Sequence, residues 1–186
     1  MLEDGLVSLR LEPAAQCGSW LDGKIERFPE SHFLDFVIDG TSLSGRVNDA
    51  EAMVTALNRA WMVHVPDAVE VLLGRRPSPD LDAGRVPLLL CAACGDLGCG
   101  MLTASLSLGP AEVLWSAFLW EDGIEKPRSV EMLSEAFRFG RAEYEAQMAA
   151  APARVAAMPF DELAHRGKGL LWPWQWGWKL PPKPPS

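Results

Sequence analysis

Three of the chain's four cysteines sit in one short run, Cys91-Ala92-Ala93-Cys94-Gly95-Asp96-Leu97-Gly98-Cys99-Gly100. Thiolates at C-x-x-C spacing can turn towards one point, and the glycines after Cys94 and Cys99 allow the positive φ that such tight turns need. This is half of a zinc-knuckle ligand pattern, with Cys91, Cys94 and Cys99 as metal ligands and a fourth still to be supplied. Cys17, His64, His165, Asp96 or a water molecule are the candidates for that position, and spacing alone does not choose between them. Two other states of the sulfurs stay open. They are compatible with buried, unligated thiols, or with a Cys94–Cys99 disulfide formed on oxidation.

The surroundings of the run narrow its chemistry. A thioredoxin-like dithiol sits at the start of a helix, whose free amides and dipole favour the thiolate, whereas here Gly-Asp-Leu-Gly and then a strand-like segment follow. A zinc deaminase needs H-x-E and P-C-x-x-C, but His32, His64 and His165 are followed two positions later by Leu34, Pro66 and Gly167, and Leu90 precedes Cys91. Three thiolates also donate much charge to a metal and weaken its power to acidify water, which points to a structural ion. An ordinary iron-sulfur cluster would have to recruit Cys17 from far along the chain. The sequence contains no G-x-S-x-G, Walker A, G-x-G-x-x-G or H-E-x-x-H motif. His64, beside Trp61 on an apolar face, reads as a core histidine bonded to backbone, with metal ligand or base as its other role. Asp35, Asp39 and Asp96 are the candidate carboxylates; Asp39 belongs to a turn and Asp96 can cap amides in the glycine-rich loop.

The other unusual stretch is the tail. Trp172, Trp174, Trp176 and Trp178 alternate with Pro173, Gln175 and Gly177, which puts all four indoles on one side of an extended chain. Such a stripe suits a partner-binding surface, a sugar ring, or this protein's own sheet or that of a twin subunit. Residues 179–186, with four prolines, read as a polyproline-like end.

With 17 basic and 25 acidic residues in 186, the net charge of -8 repels a phosphate backbone and predicts no nucleic-acid partner. The opening residues 1–5 lack the basic and apolar regions of a signal peptide, and no segment approaches the roughly 18 to 20 apolar residues of a membrane span. The expectation is a cytoplasmic protein without a membrane partner, in a reducing compartment where clustered cysteines serve as ligands or thiols. An apolar content of 48% supports one sizeable core. The predicted organisation is a single α+β domain over 1–168 and a Trp/Pro-rich tail over 169–186.

The elements that must position the cysteines follow from periodicity. Residues 5–12 alternate as a half-buried strand ended by Pro13, residues 14–31 are irregular, and residues 32–38 form a second strand. Asp39-Gly40 turns the chain into a short returning strand over 42–47. Asn48 to Glu51 resembles a capping box, and Met53, Leu57, Ala60, Trp61 and His64 share a helical face, which predicts a helix over 49–63 closed by Pro66. Residues 67–73 suit a short helix or a strand, and 75–85 a loop. Residues 86–91 form the strand that feeds the cysteine loop. After it, 102–108 and 111–120 alternate as a hairpin about Gly109-Pro110, with Leu106 opposite Val113, Ala104 opposite Trp115 and Leu102 opposite Ala117. Past a loop over 121–128, residues 129–151 permit helix, although 137–140 alternates like an edge strand. The segment 141–151 is a helix with Tyr144 and Met148 on one face, and 160–165 a short one.

The run Cys91-x-x-Cys94-Gly95-Asp96-x-Gly98-Cys99-Gly100, together with Val113-x-Trp115, Phe137-x-Phe139 and Tyr144, resembles a group of uncharacterised bacterial proteins, commonly actinobacterial. The resemblance covers the C-terminal half. It implies a shared hairpin core and carries no established activity.

The predicted fold is a mainly antiparallel sheet with helices packed on one face. The predicted role is non-catalytic: a protein-interaction or regulatory protein, immunity-like in kind, that meets a protein partner or a second copy of itself. The runner-up is a metal- or thiol-dependent enzyme acting on a small molecule at the cysteine loop, and a sugar-binding module built on the indoles is a third.

Overall fold

The computed structural model describes residues 5–16, 19–21, 24–26, 30–47 and 53–165. Leu9 and Leu11 turn inward and Arg10 and Glu12 outward along β1 (Leu9–Gln16), the alternation that defines a half-buried strand. The strand continues through Pro13, where the sequence predicted its end. The amide of Leu11 points away from the neighbouring strand, towards Gln147 Oε1 at 3.3 Å. Pro13, two residues on, therefore has its nitrogen on the same outer side and forfeits no ladder hydrogen bond. Within the stretch expected to be irregular, β2 (Ser19–Leu21) and β3 (Lys24–Glu26) pair with each other.

β4 (Ser31–Ile38) pairs with β1 along its whole length, and Asp39 and Gly40, at φ of 48° and 75°, make the turn that sequence assigned to them. The returning strand β5 is only Thr41–Ser42. Leu43 is fully buried and its amide donates the next in-register bond to Phe36 O at 2.8 Å, but its own φ of -62° and ψ of -41° are helical, and a 3-10 turn follows at Ser44–Arg46.

The predicted helix over 49–63 is overturned in its described part. β6 (Met53–Val54) pairs with the strand leading to the cysteines, and Leu57 O accepts from Leu34 N at 2.9 Å. Two short 3-10 turns separated by a kink at Trp61 (φ -109°, ψ 26°) then cover Arg59–His64, the first capped by the Asn58 side chain, which accepts from Ala60 N at 2.9 Å. Thr55 and Asn58 explain the difference: Thr55 Oγ1 donates to Leu34 O at 2.6 Å and Asn58 Nδ2 to Ser31 Oγ at 2.7 Å. Side chains of this type compete with helix hydrogen bonds, and here they tie the segment to β4. The capping-box residues 48–51 lie outside the described residues. Pro66 does not close a helix but occupies the first turn of α1 (Val65–Leu72), where a missing amide costs nothing.

β7 (Arg85–Cys91), β8 (Met101–Leu108), β9 (Glu112–Glu121), β10 (Arg128–Ser129) and β11 (Phe137–Gly140) form the larger sheet with β6, in the order β10-β9-β8-β7-β6, with β11 also on β9. The hairpin keeps its predicted inward face near the turn but not its predicted register. Leu108 opposes Val113 and Leu106 opposes Trp115, because Gly109 N donates to Glu112 O at 2.8 Å and moves the turn one residue on, to Pro110-Ala111. A shift of two residues preserves the face. Further along, a bulge with Ala117 at φ 47° reverses the phase of β9, so Phe118 is buried where Ala117 was expected. The open question over 129–140 resolves as β10, a 3-10 turn at Glu131–Leu133 and β11. α2 (Arg141–Ala156) runs past the expected end at 151 and through Pro152, and α3 spans Glu162–His165.

The named strand pairings are all antiparallel, and the α+β class expected from sequence is what the structure has. Val69 and Leu72 of α1 and Met148, Ala151 and Val155 of α2 share one hydrophobic cluster with Leu9, Phe36, Leu88 and Trp115. At its centre Trp115 meets Phe36, Phe139 and Tyr144 edge to face, with centroids 5.1, 5.0 and 5.9 Å away. The Trp115 indole donates to Tyr144 Oη at 3.2 Å, and that hydroxyl donates to Leu72 O at 2.8 Å. Burial pushes the Tyr144 phenol far above its usual range, so it stays a donor.

Candidate metal centre

The cysteine loop hangs between two strands of the larger sheet. Cys91 is the last residue of β7, buried, and paired with Met53 of β6, so its sulfur has a fixed base. Gly95, at φ 62°, turns the chain back and donates to Cys91 O at 2.7 Å. The amide of Asp96 then points at Cys94 Sγ from 3.4 Å. The Asp96 carboxylate caps the next turn, accepting from Gly98 N at 2.6 Å, and the 3-10 turn Leu97–Cys99 swings Cys99 round, with its amide donating to Asp96 O at 3.1 Å. Gly100, at φ 91° and ψ 146°, leads into β8 with the Trp120 indole lying against it.

The sulfurs of Cys91, Cys94 and Cys99 consequently lie within 4.8 Å of one another, and Cys94 and Cys99 Sγ are 3.2 Å apart. All three are free thiols, Cys91 buried, Cys94 half-buried and Cys99 exposed. A tetrahedral zinc with Zn–S bonds near 2.3 Å separates its sulfurs by about 3.8 Å, so the spacing suits a metal ion.

Electrostatics point the same way. The Cys94 thiol donates to the Cys91 sulfur, and with help from the backbone amides of Cys94 and Ala93 this outweighs burial and pulls Cys91 down to about 5. Donating that proton to Cys91, and burial, push Cys94 far up, while burial first and the Cys91 charge after it raise Cys99. Near neutral pH the cluster therefore carries one thiolate and two protons, and a divalent cation can take the place of the two protons.

The described candidates for a fourth ligand stand apart from the trio. Asp96 spends its Oδ1 on the loop itself, His64 occupies the N-cap position of α1 with its pKa lowered by burial, and His165 lies on α3 with Nδ1 2.7 Å from Asp161 O and its ring over Phe160. None of them joins the sulfurs within 4.8 Å. Cys17 and the four tail tryptophans, Trp172, Trp174, Trp176 and Trp178, lie outside the described residues. Of the other carboxylates, Asp39 accepts from Ser8 N at 2.8 Å, and Asp35, buried with Oδ2 2.5 Å from Ser42 Oγ, has its pKa raised, chiefly by burial.

Two further charged groupings were not singled out by sequence. Asp80, in the loop before β7, has its pKa raised by burial and then by the charge of Asp96, which places a second carboxylate beside the cysteine turn. On the same sheet Arg85 Nε pairs with Glu121 Oε1 at 2.7 Å, and Arg85 also holds Thr103 Oγ1 and the carbonyl of the bulged Ala117. Correct hairpin register would have been the signal, because it sets Glu121 opposite Met101 and Arg85 opposite Ser105. No helix among the described residues is long and apolar enough to cross a membrane. No family model, curated protein or solved structure matches the chain.

Proposed function

We propose that the protein is a non-catalytic interaction or regulatory protein, immunity-like in kind, whose cysteine loop holds a zinc ion as a structural pin. The observation that carries the reading is the gathering of three sulfurs within 4.8 Å by a single loop. Zinc suits this donor set because it takes thiolates without a redox change. Bound there, it would tie the end of β7 to the start of β8 and fix a turn that is otherwise held by a few local hydrogen bonds. The structural role is supported by the candidate carboxylates: Asp39, Asp96 and Asp35 are each engaged in holding backbone or hydroxyl groups of the fold. A net charge of -8 favours a basic protein partner over nucleic acid, and the Trp172 to Trp178 stripe is the proposed contact, with self-association as its other use. Free thiols fit a reducing, cytoplasmic setting.

The test is elemental analysis of protein purified under reducing conditions, combined with thiol counting before and after chelation. One zinc per chain, with Cys91, Cys94 and Cys99 unreactive until the metal is removed, is the expected result. Absence of tight metal binding at any of these residues refutes it. An enzymatic reading, with a metal- or thiol-dependent reaction on a small molecule, is favoured by one observation: Cys99 is exposed, so solvent reaches the cluster. Cobalt substitution separates the two, because a site closed by four protein ligands keeps its visible spectrum when azide is added, whereas an open position shifts it.

A further inference from the structure

The three sulfurs are not equivalent. Cys91 is 8% exposed and anchored in a paired strand, whereas Cys99 is exposed on a 3-10 turn that contains no buried residue. The Cys94 and Cys99 sulfurs stand 3.2 Å apart, about 1.2 Å beyond a disulfide bond. The segment that would move to close this gap is the turn at Leu97–Cys99, flanked by Gly95 and Gly100, both at positive φ. Its hydrogen bonds are local: Gly98 N to Asp96 Oδ1, Cys99 N to Asp96 O and Gly100 N to Leu97 O. Closing it therefore breaks no strand ladder, and the core contact it shifts is that of Leu97, which packs half-buried against the smaller apolar cluster of Phe33, Val54, Trp61, Leu90 and Met101.

We propose that Cys94 and Cys99 form a modification site for hydroperoxides, a dithiol that closes to a disulfide and thereby discharges the metal it holds with Cys91. The inference rests on the metal reading given above and adds its regulation. The chemistry balances with hydrogen peroxide as oxidant. In the zinc-loaded chain the metal has already displaced the protons of Cys94 and Cys99, so the exposed Cys99 thiolate attacks one peroxide oxygen, the O–O bond breaks, and hydroxide leaves, giving a sulfenic acid. The Cys94 thiolate then attacks that sulfur, the S–S bond forms and a second hydroxide leaves. Two sulfurs lose two electrons, the peroxide gains them, and two protons from solvent convert the hydroxides to water. Only one of the three thiolates is then left for the ion, too few to retain zinc.

The test uses the full chain loaded with zinc and treated with equimolar hydrogen peroxide. Released metal is read with a colorimetric chelator, and disulfides by cleavage before aspartate, since Asp96 separates Cys94 from Cys99. The expected result is one zinc released per chain, a peptide ending at Gly95 linked to the peptide beginning at Asp96, fragmentation placing the bond on Cys94, and recovery of metal uptake after a phosphine reductant. Zinc retained with all thiols intact, a bond to Cys91, or release through sulfinic acid without a disulfide overturns the switch and leaves the metal site standing. A chain that takes up no zinc before oxidation refutes the metal reading itself, and the discharge with it.

Discussion

Gly100→Ala is the substitution that most directly tests how the loop is held. A β-carbon there would lie 2.4 Å from Trp120 Cζ2, 2.7 Å from Cε2 and 2.8 Å from Nε1, on a residue at φ 91°. Real carbon contacts need more than 3 Å, so the indole must move by roughly 1 Å, and overpacking of this kind costs about 1–3 kcal/mol. The backbone adds a separate cost, because φ 91° with ψ 146° borders a region occupied essentially by glycine and carries about 1–3 kcal/mol of strain for other residues. Together they predict a loss of roughly 2–6 kcal/mol, which for a chain of this size lowers Tm by about 2–4 °C per kcal/mol. Equilibrium urea unfolding followed by circular dichroism measures it. In a Trp120→Ala background the steric part disappears and only the backbone part remains, so the cost of Gly100→Ala should fall by about 1–3 kcal/mol. Because Cys99 immediately precedes Gly100, metal affinity should drop in the single variant. A Gly100→Ala protein within about 0.5 kcal/mol of wild type, with full zinc occupancy, would refute the reasoning.

Metal binding should release about two protons near pH 7, from Cys94 and Cys99, since Cys91 is held down to about 5 and its neighbours are raised. Affinity then falls by about a hundredfold for each unit of acidification in that range, and calorimetry in buffers of different ionisation enthalpy counts the protons; a count near zero contradicts the shared-thiolate picture. Arg85→Ala leaves Glu121 charged and 13% exposed, at a cost of about 3–5 kcal/mol, whereas Arg85→Met with Glu121→Leu should recover most of it; denaturant titration of the two compares them directly. Tyr144→Phe removes the hydroxyl that Trp115 donates to and that donates to Leu72 O, stranding two buried groups for about 2–4 kcal/mol, and a loss below about 1 kcal/mol would show that they find other partners.

The cysteine turn was legible because its information is local: spacing of sulfurs and glycines sets which atoms can meet. The strand over 86–91 and the β4 segment were legible as short, largely apolar runs that the sheet buries on both faces, and the α2 face carrying Tyr144 and Met148 because burial on one side writes its period into neighbouring residues. The expected helix over 49–63 failed where tertiary bonds from Thr55 and Asn58 outweighed an apolar period compatible with either structure. Pro13 and Pro66 were both taken as terminators, and both sit where an absent amide has no partner to lose, which only the neighbouring strand or helix end reveals. The Arg85–Glu121 pair was hidden behind the hairpin register and the Ala117 bulge, a departure from alternation that no period anticipates.

The outer side of β1 has a bearing on how any partner can approach. Gln147 Oε1 accepts from Leu11 N at 3.3 Å and Arg154 Nη2 donates to Leu11 O at 2.6 Å, so two side chains of α2 imitate the rungs of a missing neighbour. A visiting peptide that tried to extend this margin would find its acceptor and donor already taken and proline where the next amide should be. Recruitment by ladder extension is therefore closed off at that border, and oligomers or complexes must be assembled through side chains or through another rim of the molecule.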